Sequence, residues 1–230
     1  MSKRGKKYLE AQKKIEKKQY TPQEAIKVIK ETAKVLNRSF EETVEVAVAL
    51  NIRPREKGER VRGTVILPRG LGRKVKVLVF ATGDEAEEAK RAGADWVGGE
   101  ELIQKIEKGW LDFDAVISTP QLMRSVAKLG RILGPKGLMP SPKVGTVTNS
   151  PGKVVKELKS GKIEYRNDAT GVIHAPLGKI SFDEDALLEN FQTLLKAVEK
   201  DRPSTVKGRY IKSVYLSSTM GPSLKVNWSG

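Results

Sequence analysis

The chain has 230 residues, 43 Lys+Arg against 28 Asp+Glu, a net charge of +15, and no cysteine. The lack of cysteine excludes disulfides, thiolate metal sites and thiol nucleophiles, and no apolar run approaches the ~18 residues of a membrane span. A pI near 9.8 points to a polyanionic partner, most often nucleic acid.

The apolar fraction of 38% is clustered and periodic, which excludes disorder for most of the chain. The basic N-terminus leads into no apolar core and is not a secretory signal, so a cytoplasmic protein is expected. Residues 3–18 carry Lys3, Arg4, Lys6, Lys7, Lys13, Lys14, Lys17 and Lys18. Two readings stand for this stretch: a solvated terminus, or a basic arm or helix that touches phosphates.

Thr21-Pro22-Gln23-Glu24 is a helix start, with a capping threonine, proline at the first helical position and glutamate completing a capping box. Ala25, Ile26, Ile29, Ala33 and Leu36 follow at helical spacing. Then comes a strand with Val44, Val46, Val48, Leu50 and Ile52 on one face. Thr43, Glu45, Ala47 and Ala49 share the other face, which is exposed or meets a partner. Residues 61–67 (VRGTVIL) form a second strand, ended by Pro68, Arg69, Gly70, Leu71 and Gly72.

From there the pattern changes. Residues 75–80 (VKVLVF) are nearly all apolar, as in a strand buried on both faces. Helices over 84–92 and 100–108 follow, then a strand over 113–117 and a helix opened by Thr119-Pro120 that carries Leu122, Met123, Val126 and Leu129. This alternation predicts a small open α/β domain with a mainly parallel sheet. Residues 134–145 are irregular. Ser150-Pro151 starts a short helix that residues 159–162 break. The style then becomes antiparallel: residues 163–166 and 171–175 are expected to pair around Asn167-Asp168. A helix opens at residues 182–185, and strands follow over 210–218 and 223–228.

The predicted architecture is α/β. A discontinuous α+β domain is built from both chain ends (1–69 and 159–230), with an inserted α/β domain (70–158). Residues 1–69 carry 18 Lys+Arg against 9 Asp+Glu, residues 159–230 carry 11 against 8, and the insert 14 against 11. The flanks thus hold +12 of the +15, and their domain is the candidate polyanion binder. Pro68, Arg69, Gly70, Ser160 and Gly161 stand at the two crossings as candidate hinge positions.

Enzymatic readings find little support. There is no phosphate loop of the G-x-x-x-x-G-K-[ST] type, and Gly70-Leu71-Gly72 precedes a strand instead of opening a helix. The single His174 lacks partners for a metal site or a triad, and Asp183-Glu184-Asp185 reads as a helix start. No enzyme activity, metal or cofactor is expected. Three polar segments in the flanks read differently: residues 39–43 (SFEET), residues 166–171 (RNDATG) and residues 217–223 (SSTMGPS). Hydroxyls and backbone N–H groups bond ribose and phosphate, and glycine lets a nucleic-acid backbone come close. Together these segments favour recognition of structured RNA.

The segment Arg131-Ile132-Leu133-Gly134-Pro135-Lys136-Gly137-Leu138-Met139-Pro140 resembles the diagnostic stretch of the L-one family of large-subunit ribosomal proteins, which form a mobile stalk beside the tRNA exit site. Residues 39–45 (SFEETVE), 62–72 (RGTVILPRGLG), 93–101 (GADWVGGEE), 109–116 (GWLDFDAV), 166–176 (RNDATGVIHAP) and 217–223 (SSTMGPS) are similar to the same family, and the chain length matches its bacterial type. The resemblance implies a Rossmann-like three-layer insert. It implies RNA contact through Ser39, Phe40, Thr43, Glu45, Arg166, Asp168, Thr170, Gly171, Ser213, Ser218, Thr219, Met220, Gly221 and Pro222. The implied partners are 23S rRNA, tRNA in the exit site, the mRNA of its own operon and other ribosomal components, with a monomer outside the ribosome. The chain departs from several relatives at Ala169, where they carry Lys. For residues 134–140 two roles stay open: shaping the face between the domains, or contacting RNA or tRNA. The alternative to the whole reading is a general basic nucleic-acid binder.

Overall fold

A computed structural model describes residues 5–228, without the side chains of Glu56 and Lys57. Lys3 and Arg4 of the Lys-rich start lie outside the described residues. The chain divides into two compact units, Met1–Gly72 with Ile163–Gly230, and Arg73–Lys162. On these bounds Lys159 and Lys162 belong to the middle unit. The first unit therefore carries 27 Lys+Arg against 17 Asp+Glu, or +10, and the second 16 against 11, or +5.

The first unit begins with α1 (Lys6–Lys13), which packs on α2 (Pro22–Leu36) and buries Ala11. The start of α2 is fixed by a reciprocal cap. Glu24 N donates to Thr21 Oγ1 (3.3 Å) and Thr21 N donates to Glu24 Oε2 (3.1 Å). Asn37 ends the helix in the left-handed conformation. Its inner face buries Ala25, Ile26, Ile29, Leu36 and also Thr32, whose hydroxyl donates to the Ile29 carbonyl. The chain continues through β1 (Thr43–Leu50), a short α3 (Pro54–Lys57) and β2 (Arg62–Ile66).

In the middle unit, β3 (Val77–Phe80) is buried throughout, followed by α4 (Asp84–Arg91), β4 (Trp96–Gly98), α5 (Glu100–Glu107) and β5 (Ala115–Ser118). The three strands are parallel in the order β4-β3-β5. β4 went unforeseen because it has only three residues, one a glycine. The helix expected from Thr119-Pro120 is broken into α6 (Met123–Val126), a 3₁₀ turn (Ala127–Leu129) and α7 (Gly130–Leu133), with Gly130 at the break. Val126, Leu129 and Leu133 nevertheless all face the core. A second 3₁₀ turn (Pro142–Val144) precedes α8 (Pro151–Lys159).

Alternate strand residues feed two cores. Leu78, Phe80 and Val116 pack with Leu102, Ile106 and Leu129 on one face. Val77, Val79 and Ile117 pack with Ala89, Val154 and Val155 on the other. Helices thus cover both sides of this sheet, as a parallel sheet requires. The irregular residues 134–145 dock on the first of these cores through Leu138 and Met139.

The chain returns to the first unit with β6 (Lys162–Arg166), β7 (Val172–Lys179), α9 (Glu184–Lys200), β8 (Ile211–Ser218) and β9 (Leu224–Val226). The expected pairing of residues 163–166 with 171–175 does not form. β6 pairs with β2, and β7 pairs antiparallel with β1, leaving one bridge between Asn167 and Ile173. β7 runs to Lys179, four residues beyond the expected end, and that length matches β1 rather than the short β6. The main sheet has the order β7-β1-β8-β9.

Two bulges set its phase. Leu177 is extra between the pairs of Val44 and Glu45, and Lys212 is extra between those of Ala49 and Leu50. The second lets Ile211 and Val214, three apart, both reach the core. The buried face of the sheet joins Ile26 and Ile29 of α2 and Leu187, Phe191, Leu194 and Leu195 of α9 in one core. Each such side chain contributes on the order of 1.5–3 kcal/mol.

The loop after β2 is anchored to α9. The wholly buried Asn190 accepts from Arg69 N (3.1 Å) and donates to the carbonyls of Gly70 (3.0 Å) and Leu177 (2.7 Å). The Arg69 guanidinium also forks onto Glu189. Arg69 and Gly70, expected at a hinge, are thus tied into the first unit. Replacing Asn190 by Ala leaves three backbone groups without this partner, the buried Leu177 carbonyl among them, and is expected to destabilise this unit by about 1–3 kcal/mol. Denaturant unfolding followed by the fluorescence of Trp228, which packs edge-on against Phe191, checks it.

Candidate nucleic-acid interface

Helices cover one face of the four-stranded sheet, and no described element covers the other. The residues on this open face follow from register. Ala47 stands opposite His174 and Tyr215, Glu45 opposite Pro176 and Ser217, and Ala49 opposite Val172 and Ser213. Most of these side chains are small, so the face is shallow.

At one end of β1 the 218–221 turn closes against Thr43. Thr219 N donates to the Thr43 carbonyl (2.9 Å) and Thr43 N donates to Thr219 Oγ1 (3.0 Å). Met220 takes a left-handed φ of 64°, unusual outside glycine, and its side chain is 71% exposed. A Cβ on Gly221 would meet Ser218 Oγ and come close to the Ser218 carbonyl, so a larger residue there requires the Ser218 side chain to turn away. Phe40, three residues before the strand, is 49% exposed. A half-exposed aromatic and a methionine held out on a constrained turn are apolar surface open to a partner.

At the other end lies the turn before β7. Asp168 Oδ1 accepts from Thr170 N and Thr170 Oγ1 (2.7 Å each) and from Val172 N (2.9 Å). The Val172 N–H is the main cause holding this carboxyl below the usual aspartate range, with Thr170 adding to it against a desolvation cost. Gly171 has φ 85° and packs on Ile52. Arg166 is exposed and has no ion pair among the described residues.

The residues singled out from sequence therefore occupy three places. Thr43, Thr219, Met220 and Gly221 gather at one rim, and Ser39 and Phe40 lie in the loop that leads to it, where Phe40 lines a recess with Lys34, Arg38 and Glu184. Arg166, Asp168, Thr170 and Gly171 form the other rim, roughly 23 Å away over the seven residue steps of β1. Glu45 and Ser213 lie on the open face between them. Ser218, Pro222 and Gly171 are buried and shape the turns without presenting side chains to a partner. Asp168 is a bracket for its own turn. Tyr215, 37% exposed in the middle of the face, was missed, although Val214 and Leu216 already set its outward phase. The Lys-rich α1 packs against α2.

The sequence model of the ribosomal protein L1p/L10e family matches residues 29–222. The chain belongs to this family. It is therefore a large-subunit ribosomal protein that binds RNA and serves translation, from a structural family and not an enzyme family. Among the described residues no helix is long and apolar enough to cross a membrane.

Replacing Asp168 by Ala removes three hydrogen bonds and is expected to destabilise the first unit by about 1 kcal/mol, as loss of a capping side chain does. Because the native carboxyl titrates below its unfolded value near 3.9, this contribution is full above that pH. It disappears as pH falls through the lower native value. Stability of wild type and Asp168→Ala compared from pH 7 to pH 2 should converge at the acid end.

Proposed function

We propose that the open face of the first unit and its two rims bind a folded segment of 23S rRNA. The carrying observation is that face: a sheet left bare on one side, bounded by the exposed Phe40 and Met220 at one end and the Asp168–Thr170 turn at the other. Small and hydroxylated side chains on a shallow surface suit the wide minor groove of RNA, where 2′-hydroxyls and shape are read. Arg166 supplies a charged contact at the far rim. The +10 of this unit supplies attraction and the salt dependence of binding.

The finer roles rest on the resemblance of residues 131–140 and of the rim segments. On this reading the middle unit is a Rossmann-like insert, and the protein assists release of deacylated tRNA from the exit site beside other ribosomal components. It also represses translation of its own operon by binding an mRNA segment that mimics the rRNA site, acting as a monomer outside the ribosome. The competing reading is a general basic nucleic-acid binder.

The two readings separate in a binding measurement at fixed salt. The rRNA fragment should bind about 10³-fold more tightly than the same RNA scrambled, by analogy with specific protein–DNA complexes. Equal affinities would sink the proposal. Met220→Asp places a carboxylate against phosphates and should weaken the specific complex about tenfold or more, with thermal unfolding unchanged because the side chain is exposed. Gly221→Ala should weaken it too, by distorting the turn. Unchanged affinity in both variants would remove this rim from the interface.

A further inference from the structure

Register places His174, Ala47, Tyr215 and Lys225 in one row across all four strands of the main sheet. His174, Tyr215 and Lys225 are exposed, and Ala47 is half-buried. Tyr215 is the one large aromatic of the row. Its neighbours across the strands are a single methyl group and a flexible lysine, so neither face of the ring is capped by a bulky partner. Its hydroxyl makes no hydrogen bond among the described residues. The rows on either side hold Ala49 with Ser213 and Glu45 with Ser217, all short or exposed.

Of the large hydrophobic side chains left exposed by the described residues, Leu9, Phe40, Ile66, Tyr215 and Met220, three belong to this face or its rim. A tyrosine on a solvated strand is ordinary where a bulky neighbour packs on it. Here the register supplies none.

We propose that Tyr215 is a stacking platform for one unpaired nucleotide of the bound RNA. Its ring receives the base over the space left by Ala47, and Lys225 lies on the side where the nucleotide's phosphate passes. Base–aromatic stacking tolerates any base and needs an unpaired one. The RNA segment is therefore read as containing a bulged or looped nucleotide between the two rims, in addition to helical parts. The proposal deepens the RNA-binding reading and rests on the first unit being the binding unit.

The test uses the full chain and three RNAs: the rRNA fragment, a poly(A) oligomer and a plain RNA duplex. Tyr215→Thr removes the ring yet keeps a β-branched residue suited to a strand, and Tyr215→Phe keeps the ring. Stacking predicts that Tyr215→Thr binds poly(A) and the rRNA fragment roughly tenfold more weakly and leaves duplex affinity unchanged. Tyr215→Phe should stay within about twofold of wild type. The slope of log affinity against log salt should not change, because no phosphate contact is lost. Tyr215→Thr within twofold of wild type on both unpaired RNAs overturns the inference, and so does an equal loss on the duplex. The poly(A) arm reads stacking even if the rRNA fragment and its scrambled form bind alike, so failure of the rRNA assignment and failure of the platform are separate results.

Discussion

Strand β1 is the element on which the rest of the first unit depends. Val44, Val46, Val48 and Leu50 point into the core, and Thr43, Glu45, Ala47 and Ala49 point away from it. Paired on both edges, by β7 and β8, the strand cannot slip by one residue without turning that apolar row into water. α2 and α9 need the row to bury their own stripes. A sheet whose helices lie on one side is the consequence, and its other side presents the outward row of β1.

The ends of β1 decide where that surface stops. At the Thr43 end, the mutual bonds with Thr219 fix a turn in which Gly221 packs closely on Ser218 and Met220 is held out in a left-handed conformation. At the Leu50 end, the Asp168 carboxylate gathers three donors and sets the turn that delivers β7. Both rims are rigid before any partner arrives, which reduces the ordering cost of binding. The net charge is arranged differently. α1 carries only +2 of the unit's +10, and the rest is spread over its other elements.

Much of this was legible in the chain. The cap at Thr21, the alternation of β1 and the wholly apolar β3 are local signals, and each names its element. The rim residues Phe40, Thr219, Met220 and Gly221 were legible because an aromatic and a methionine beside glycine and hydroxyls have no role in an ordinary turn. Other features were not. A hairpin between β6 and β7 was expected because they are sequence neighbours joined by Asn167-Asp168. The strands instead follow their lengths and core partners, which lie more than 90 residues earlier in the chain. Arg69 and Gly70 looked mobile by composition, yet Asn190, about 120 residues on, fastens them.

The amino-acid sequence by itself determined the α/β class, the basic character and the family, and it singled out the two segments that are proposed to frame the binding surface. Those properties are set by composition and by spacing along the chain. Tertiary structure alone decided that the two segments stand at opposite ends of one strand, that Ser218 and Pro222 are buried, and that Tyr215 faces outward between the rims in a row with Ala47 and Lys225. Such facts depend on register between strands far apart in sequence, and two bulges, at Leu177 and Lys212, set that register. A bulge is one extra residue in one strand against its partner, so it becomes visible only when the strands are paired.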